Sequence, residues 1–240
     1  MNLYSKFTSK NKKLALLIDP DKTSAVDAGK IAKKASENGF HFIFVGGSIV
    51  TEPIDELVKN IKLSCNIPVI LFPGSPLQLS PKADGLLLLS LISGRNPEYL
   101  IGHHVNAAPI IKKYKLVTIP TGYILINGGK VSSTEYMSNT KAIPVSKIDI
   151  IKSTALAGEM LGLKLIYLEA GSGANNSVSE EIIKEVKKTV SIPVIVGGGI
   201  CNTKQLTAIF NAGADVVVIG TAIENDKTLI KKFAKALKAE

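Results

Sequence analysis

The chain has 240 residues, 45% of them hydrophobic, only 5% aromatic, and no tryptophan. That is enough apolar material for a packed core, so extended disorder is excluded. No apolar run reaches the roughly 18 residues of a membrane-crossing helix. The formal charge is +9, carried by lysines with Arg95 as the single arginine. A solvated lysine surface accounts for much of this charge. Nucleic acid is a poor partner, because arginine forks and basic clusters with interleaved aromatics are absent. An anionic small molecule or an acidic membrane surface fits better. The segment Met1 to Lys13 is polar and lacks an apolar leader core, and Cys65 and Cys201 cannot build a disulfide framework. The expectation is a cytoplasmic globular protein with both cysteines as small packing residues.

In chain order, short apolar runs alternate with amphipathic charged segments. The predicted strands are Leu14–Ile18, Phe42–Val45, Val69–Leu71, Leu86–Leu89, Val117–Pro120, Lys164–Glu169, Val194–Val196 and Val216–Ile219. Most are continuously apolar, as parallel strands covered on both faces should be. The predicted helices are Ala25–Asn38, Ile54–Leu63, Glu98–Tyr114, Lys147–Leu161, Ser179–Val190, Thr203–Asn211 and Asp226–Leu237. Ser179, followed by Glu180 and Glu181, is a plausible N-cap. Between the third and fourth strands, Pro73, Pro76 and Pro81 leave no room for a helix. Eight strands in this order predict one (β/α)8 barrel domain spanning residues 1–240, with an irregular third connection. A doubly wound open sheet is the alternative. A weak internal echo, Ile67-Pro68-Val69-Ile70 against Ile192-Pro193-Val194-Ile195 and Ala83-Asp84 against Ala214-Asp215, fits repeated βα units.

Barrel chemistry sits at the C-terminal ends of strands. After the seventh strand comes Gly197-Gly198-Gly199, and after the eighth Gly220-Thr221. Glycines let backbone N–H groups approach an anion, and a helix N-terminus adds positive potential, so these loops predict a phosphate site. The sixth strand ends Tyr167-Leu168-Glu169-Ala170-Gly171-Ser172-Gly173. Alternation puts Tyr167 and Glu169 together on the lumen side, and a carboxylate at an apolar rim needs a partner or a function. Asp19 follows the first strand and Ser48 the second, a pairing that suits Mg²⁺. An Asp-Pro turn is the simpler reading of Asp19. His41 at a strand start and His103-His104 within a helix are read as structural, since adjacent helical residues point apart.

These motifs, with Asp19-Pro20-Asp21-Lys22, Gly46-Gly47-Ser48, Leu71-Phe72-Pro73-Gly74 and Asn96-Pro97, run in order along the chain. Together they closely resemble the geranylgeranylglyceryl phosphate synthases, in particular group II, the second of their two groups. The Tyr-Leu-Glu-Ala-Gly-Ser-Gly segment is the most specific of them. The resemblance implies a modified TIM barrel whose third helix is replaced by irregular chain. It implies attack of the 3-hydroxyl of sn-glycerol 1-phosphate on a prenyl diphosphate, with geranylgeranyl as the family default and diphosphate as the leaving group. It implies Mg²⁺ on Asp19 and Ser48. Glycerol phosphate would be held by Tyr167, Leu168, Glu169, Ala170, Gly171, Ser172, Gly173, Gly198, Gly199, Gly220 and Thr221, with Glu169 and Tyr167 catalytic. A homo-oligomer is implied as well, while peripheral membrane contact is expected from the basic charge. The chain departs from family habits at Ser90 to Arg95, at Tyr99 where relatives can carry Trp, and at Leu17 where the first group has lysine. Another phosphate-handling barrel enzyme and a non-catalytic prenyl-lipid carrier are the alternatives.

Overall fold

The structure, a computed structural model, describes residues 3–238 and closes eight parallel strands into a barrel in sequence order. They are β1 (Lys13–Ile18), β2 (Phe42–Val45), β3 (Val69–Leu71), β4 (Gly85–Leu91), β5 (Thr118–Leu125), β6 (Leu165–Glu169), β7 (Val194–Gly197) and β8 (Val216–Ile219). β8 returns to β1 with Lys13 opposite Val216, which rules out the open sheet. All eight predicted strands form. β4 and β5 run longer than predicted because they pair over six consecutive positions, Leu86 with Thr118 through Leu91 with Tyr123.

Alternation divides the core in two. Phe42, Phe44, Ile70, Leu87, Tyr123, Tyr167, Ile195 and Val218 fill the lumen, while Ile43, Val45, Val69, Ile166, Leu168, Val194 and Val196 face the helices. The long helices follow the predicted segments: α2 (Ala25–Glu37), α3 (Ile54–Ser64), α4 (His103–Tyr114), α6 (Ile148–Met160), α7 (Glu180–Thr189), α8 (Thr203–Asn211) and α10 (Leu229–Lys238). Ser179 caps α7, its side chain accepting from the Ile182 N–H. The predicted helix from Glu98 opens with a π-helical turn, Glu98–Gly102, before α4 begins. No helix separates β3 from β4, as the prolines require.

The sequence echo has a structural cause. Asp84 accepts a hydrogen bond from the Val69 N–H and pairs with Lys62, and Asp215 accepts from the Val194 N–H and pairs with Lys187. Each aspartate fastens the start of the preceding strand.

Three short helices were not predicted: α1 (Ser5–Thr8), α5 (Ser133–Ser138) and α9 (Thr221–Asn225). The first closes the bottom of the barrel. Its Phe7 is fully buried and stacks on Phe42 with ring centroids 4.4 Å apart. Lys13, also buried, donates to the Ser9 carbonyl at 2.6 Å, and burial lowers its pKa. Removing the Phe7 ring should leave a cavity under the lumen. Phe7→Ala is expected to cost about 3–5 kcal/mol of folding stability, read as a lower urea midpoint with little change in slope.

Candidate functional site

β6 delivers the central residues. Tyr167 lies opposite Tyr123 and Ile195, and Glu169 opposite Leu125 and Gly197. The rings of Tyr167, Tyr123 and Phe72 form a lumen cluster with centroids 5.2 to 6.0 Å apart. Leu168 points outward into the helix layer. Glu169 is buried at the rim, and its Oε1 accepts the Gly171 N–H at 2.7 Å.

This placement depends on missing side chains. A Cβ on Gly197 would strike the Tyr167 hydroxyl and lie 2.9 Å from Glu169 Oε2. One on Gly198 would strike Glu169 Oε1 and lie 2.7 Å from the Gly171 nitrogen. Gly198 and Gly171 also hold φ of +84° and +105°, a region that favours glycine. Burial pushes the Glu169 carboxyl up to about 7, against the lowering effects of the Gly171 N–H and the nearby Tyr167 hydroxyl. Burial, then the carboxylate beside it, raises the Tyr167 hydroxyl well above its ordinary range. That hydroxyl lies close to Glu169, yet it is buried and its geometry makes no hydrogen bond.

The predicted phosphate loops meet beside this carboxylate. Ser172 Oγ and Thr221 Oγ1 are 3.2 Å apart. Gly220 precedes α9, and no side chain caps that helix. The N-terminus of α8, by contrast, is already capped: Asn202 accepts from the Gln205 N–H, and Gln205 accepts from the Cys201 N–H. The helix after the triple glycine therefore starts beyond the turn, at Thr203. Cys201 is exposed at the cavity mouth, not packed as expected.

Across the mouth, Asp19 Oδ1 accepts the Asp21 N–H at 3.1 Å, and Oδ2 is 3.0 Å from Lys22 Nζ. Lys22 also reaches Glu224 at 3.5 Å. Glu224, whose pKa is raised by burial, carries no motif that would have revealed it. Gly47 packs on Asp19, since a Cβ there would lie 3.1 Å from Oδ1. Buried Gln78, from the irregular third connection, donates to the Gly47 carbonyl at 2.9 Å and accepts from the Gly74 N–H at 3.1 Å. It fixes the loop that carries Ser48, and nothing in the sequence marks it.

One cavity of about 660 Å³ joins these parts. Asp19, Ser48, Glu169, Ser172, Gly173, Gly198, Gly199, Gly220 and Thr221 line its polar end. Gly171 supports it through the Glu169 hydrogen bond, while Leu168 and Ala170 pack in the outer core and do not line it. An apolar arm runs on past Leu86, Leu88, Ala107 and Ile111, where the missing third helix leaves Leu88 to Ser90 of β4 half-covered. His103 lies against Tyr99 with centroids 4.6 Å apart, and His104 Nε2 is 2.8 Å from the Leu89 carbonyl oxygen. Both histidines thus shape the wall of this arm. His41 is structural, its Nδ1 accepting the Leu14 N–H. Among the described residues, no group of three or more His, Cys, Asp or Glu gathers to hold a metal.

Comparison with known proteins agrees over the whole barrel. The profile of the PcrB family matches residues 7–237. The chain is 50% identical to the geranylgeranylglyceryl phosphate synthase of Chitinophaga pinensis over 229 residues, 95% of this chain and 91% of that one. It is 54% identical to the enzyme of the same name from Zunongwangia profunda over 217 residues, 90% of this chain and 92% of that one. It superposes with a TM-score of 0.94 and 34% identity on the crystal structure of (S)-3-O-geranylgeranylglyceryl phosphate synthase from Thermoplasma acidophilum in complex with substrate sn-glycerol-1-phosphate, each chain covered in full.

The buried carboxylate should destabilise the fold in a pH-dependent way. Its folded pKa lies above its unfolded value of 4.5, so the folded state binds the proton more tightly. Its unfavourable contribution grows as pH rises from about 4.5 and is complete above about 7, where it amounts to roughly 3 kcal/mol. Glu169→Gln should be more stable than wild type at pH 8 by up to about that amount, with the gap closing by pH 4.5. Chemical denaturation across that range reads it.

Proposed function

The chain belongs to the PcrB family, and from that premise we propose that it is a prenyltransferase joining sn-glycerol 1-phosphate to geranylgeranyl diphosphate. The 3-hydroxyl of the glycerol attacks C1 of the prenyl group, an ether bond forms, diphosphate leaves, and the hydroxyl proton passes to Glu169. The observation that carries this reading is the position of Glu169: a buried carboxylate with a pKa of about 7 stands between a glycine-lined polar end and an apolar arm of the same cavity. A base poised near neutrality suits a hydroxyl proton. Oε1 holds the Gly171 N–H, which leaves Oε2 to receive it.

The residues divide the remaining work. Gly198, Gly199, Gly220, Thr221, Ser172 and Gly173 bind the glycerol phosphate through backbone N–H groups, hydroxyls and the uncapped start of α9. Tyr167 packs below Glu169 with Phe72 and Tyr123 and narrows the lumen there. Leu86, Leu88, Ala107 and Ile111 receive the isoprenoid and exclude water, which would otherwise trap the developing allylic cation. Mg²⁺ held by Asp19 and Ser48 would neutralise the departing diphosphate without any proton transfer. Lys22, anchored by Glu224, adds positive charge at the same mouth.

The rest of the reading concerns setting. No helix among the described residues is long and apolar enough to cross a membrane. We read the chain as a single cytoplasmic domain. Its lysine-rich surface supports contact with an anionic membrane that takes up the lipid product. Exposed Ile101 and Val105, with Ile150 and Met160 on α6 and Leu161 just after it, support self-association.

Incubation with radiolabelled sn-glycerol 1-phosphate, geranylgeranyl diphosphate and Mg²⁺ is expected to move label into a lipid extract. Glu169→Gln, which keeps shape and the Gly171 hydrogen bond, should lower turnover by about 10²–10⁴-fold at saturating substrates. Undiminished turnover in that variant would remove the base from Glu169. Binding of both substrates without product would point to a lipid carrier.

A further inference from the structure

The loop between β5 and α5 lies flat against the turn that follows β6. The Asn176 N–H donates to the Gly128 carbonyl at 3.0 Å, and the Asn175 side-chain amide donates to the Gly129 carbonyl at 3.3 Å. Asn127 Oδ1 accepts the Gly129 N–H at 2.8 Å, which tightens the bend. Two glycines make the contact possible. A Cβ on Gly128 would strike the Ala170 carbonyl and lie 2.6 Å from Ala174 Cβ, and Gly129 holds φ of +90°.

The next residue is Lys130. The position a Cβ would take on Gly173 is 3.5 Å from Lys130 Nζ and 4.0 Å from Thr221 Cγ2. The ammonium therefore stands over the Gly171-Ser172-Gly173 turn, beside the pair of hydroxyls from Ser172 and Thr221. Lys130 is exposed and makes no ion pair or hydrogen bond among the described residues. The lysine that lines the cavity, Lys22, is already engaged by Asp19 and Glu224. Ser172, Gly173 and Thr221 thus offer neutral N–H and O–H donors to the polar end, and Lys130, which does not itself line the cavity, is an uncommitted cation next to Gly173.

We propose that Lys130 binds the phosphate of sn-glycerol 1-phosphate as the charge partner of this turn. The proposal rests on the function given above and deepens it. A phosphate monoester carries close to two negative charges at neutral pH, and an ammonium adds a charge-assisted hydrogen bond that glycine N–H groups cannot. The loop pinned by Gly128 and Gly129 delivers that ammonium from β5, while the turn itself comes from β6 and Thr221 from β8.

Calorimetric titration of sn-glycerol 1-phosphate into wild type, Lys130→Gln, Lys130→Arg and Lys113→Gln tests this. Lys113 is an exposed lysine in the last turn of α4, so its variant removes the same charge at the opposite end of the barrel. Lys130→Gln is expected to bind about fivefold to tenfold more weakly and to lose part of the salt dependence. Lys130→Arg should stay within about twofold of wild type, and Lys113→Gln should match it. In turnover, Lys130→Gln should raise the KM for sn-glycerol 1-phosphate while leaving that for the prenyl diphosphate unchanged. Unaltered affinity in Lys130→Gln, or equal weakening in Lys113→Gln, overturns the proposal while a wild type that forms product keeps the function. A wild type that neither binds sn-glycerol 1-phosphate nor forms product overturns both. Melting curves that match wild type show that the variants are folded.

Discussion

The Glu169 carboxylate occupies space that two glycines leave open. Gly197 and Gly198 come in from β7 closer than a side chain would allow, and the turn after β6 brings the Gly171 N–H to Oε1. This contact removes water from the carboxylate and gives it a single backbone donor. Its raised pKa follows from the burial. It also ties β6 to β7 at the rim, so the phosphate turns on both sides are held at one height. Gly171 in turn sits against Ser132, and Gly199 against the Asn176 carbonyl. The loops after β5, β6 and β7 therefore interlock around one acid.

The opposite side of the mouth obeys a different constraint. Three prolines deny the third connection a helix, and the chain instead folds across the loop after β2, where Gln78 clamps Gly47 and Gly74. The same absence leaves the middle of β4 half-covered beside the apolar arm. One local sequence property thus has two effects: it fixes the loop that bears Ser48, and it makes room for a long hydrocarbon. Glu169 lines the same cavity as both.

Much of this was legible from residues alone. Buried parallel strands are continuous apolar runs, so β1 to β8 stood out, and proline excludes a helix wherever it is dense. Alternation placed Tyr167 and Glu169 in the lumen and Leu168 outside it, because a strand has only two faces. What escaped depends on contacts between distant segments. Phe7 lies in a polar stretch, and its role as the plug is set by Phe42, far along the chain. Gln78 and Glu224 are polar residues without a motif, and their partners are fixed only when the barrel closes. The triple glycine was read as a phosphate turn. Its role as room for Glu169, and the capping of α8 by Asn202, needed three dimensions.

The most direct test of this account is the titration of Glu169 itself. Infrared difference spectra of wild type against Glu169→Gln, recorded from pH 4 to pH 9, isolate the carbonyl stretch of that one carboxyl group. The account predicts a protonated band that disappears with a midpoint near pH 7, following the carboxyl pKa of about 7. A midpoint near the ordinary value of 4.5 would mean that water reaches the carboxylate, and would contradict the dry, glycine-bounded carboxylate on which the account rests.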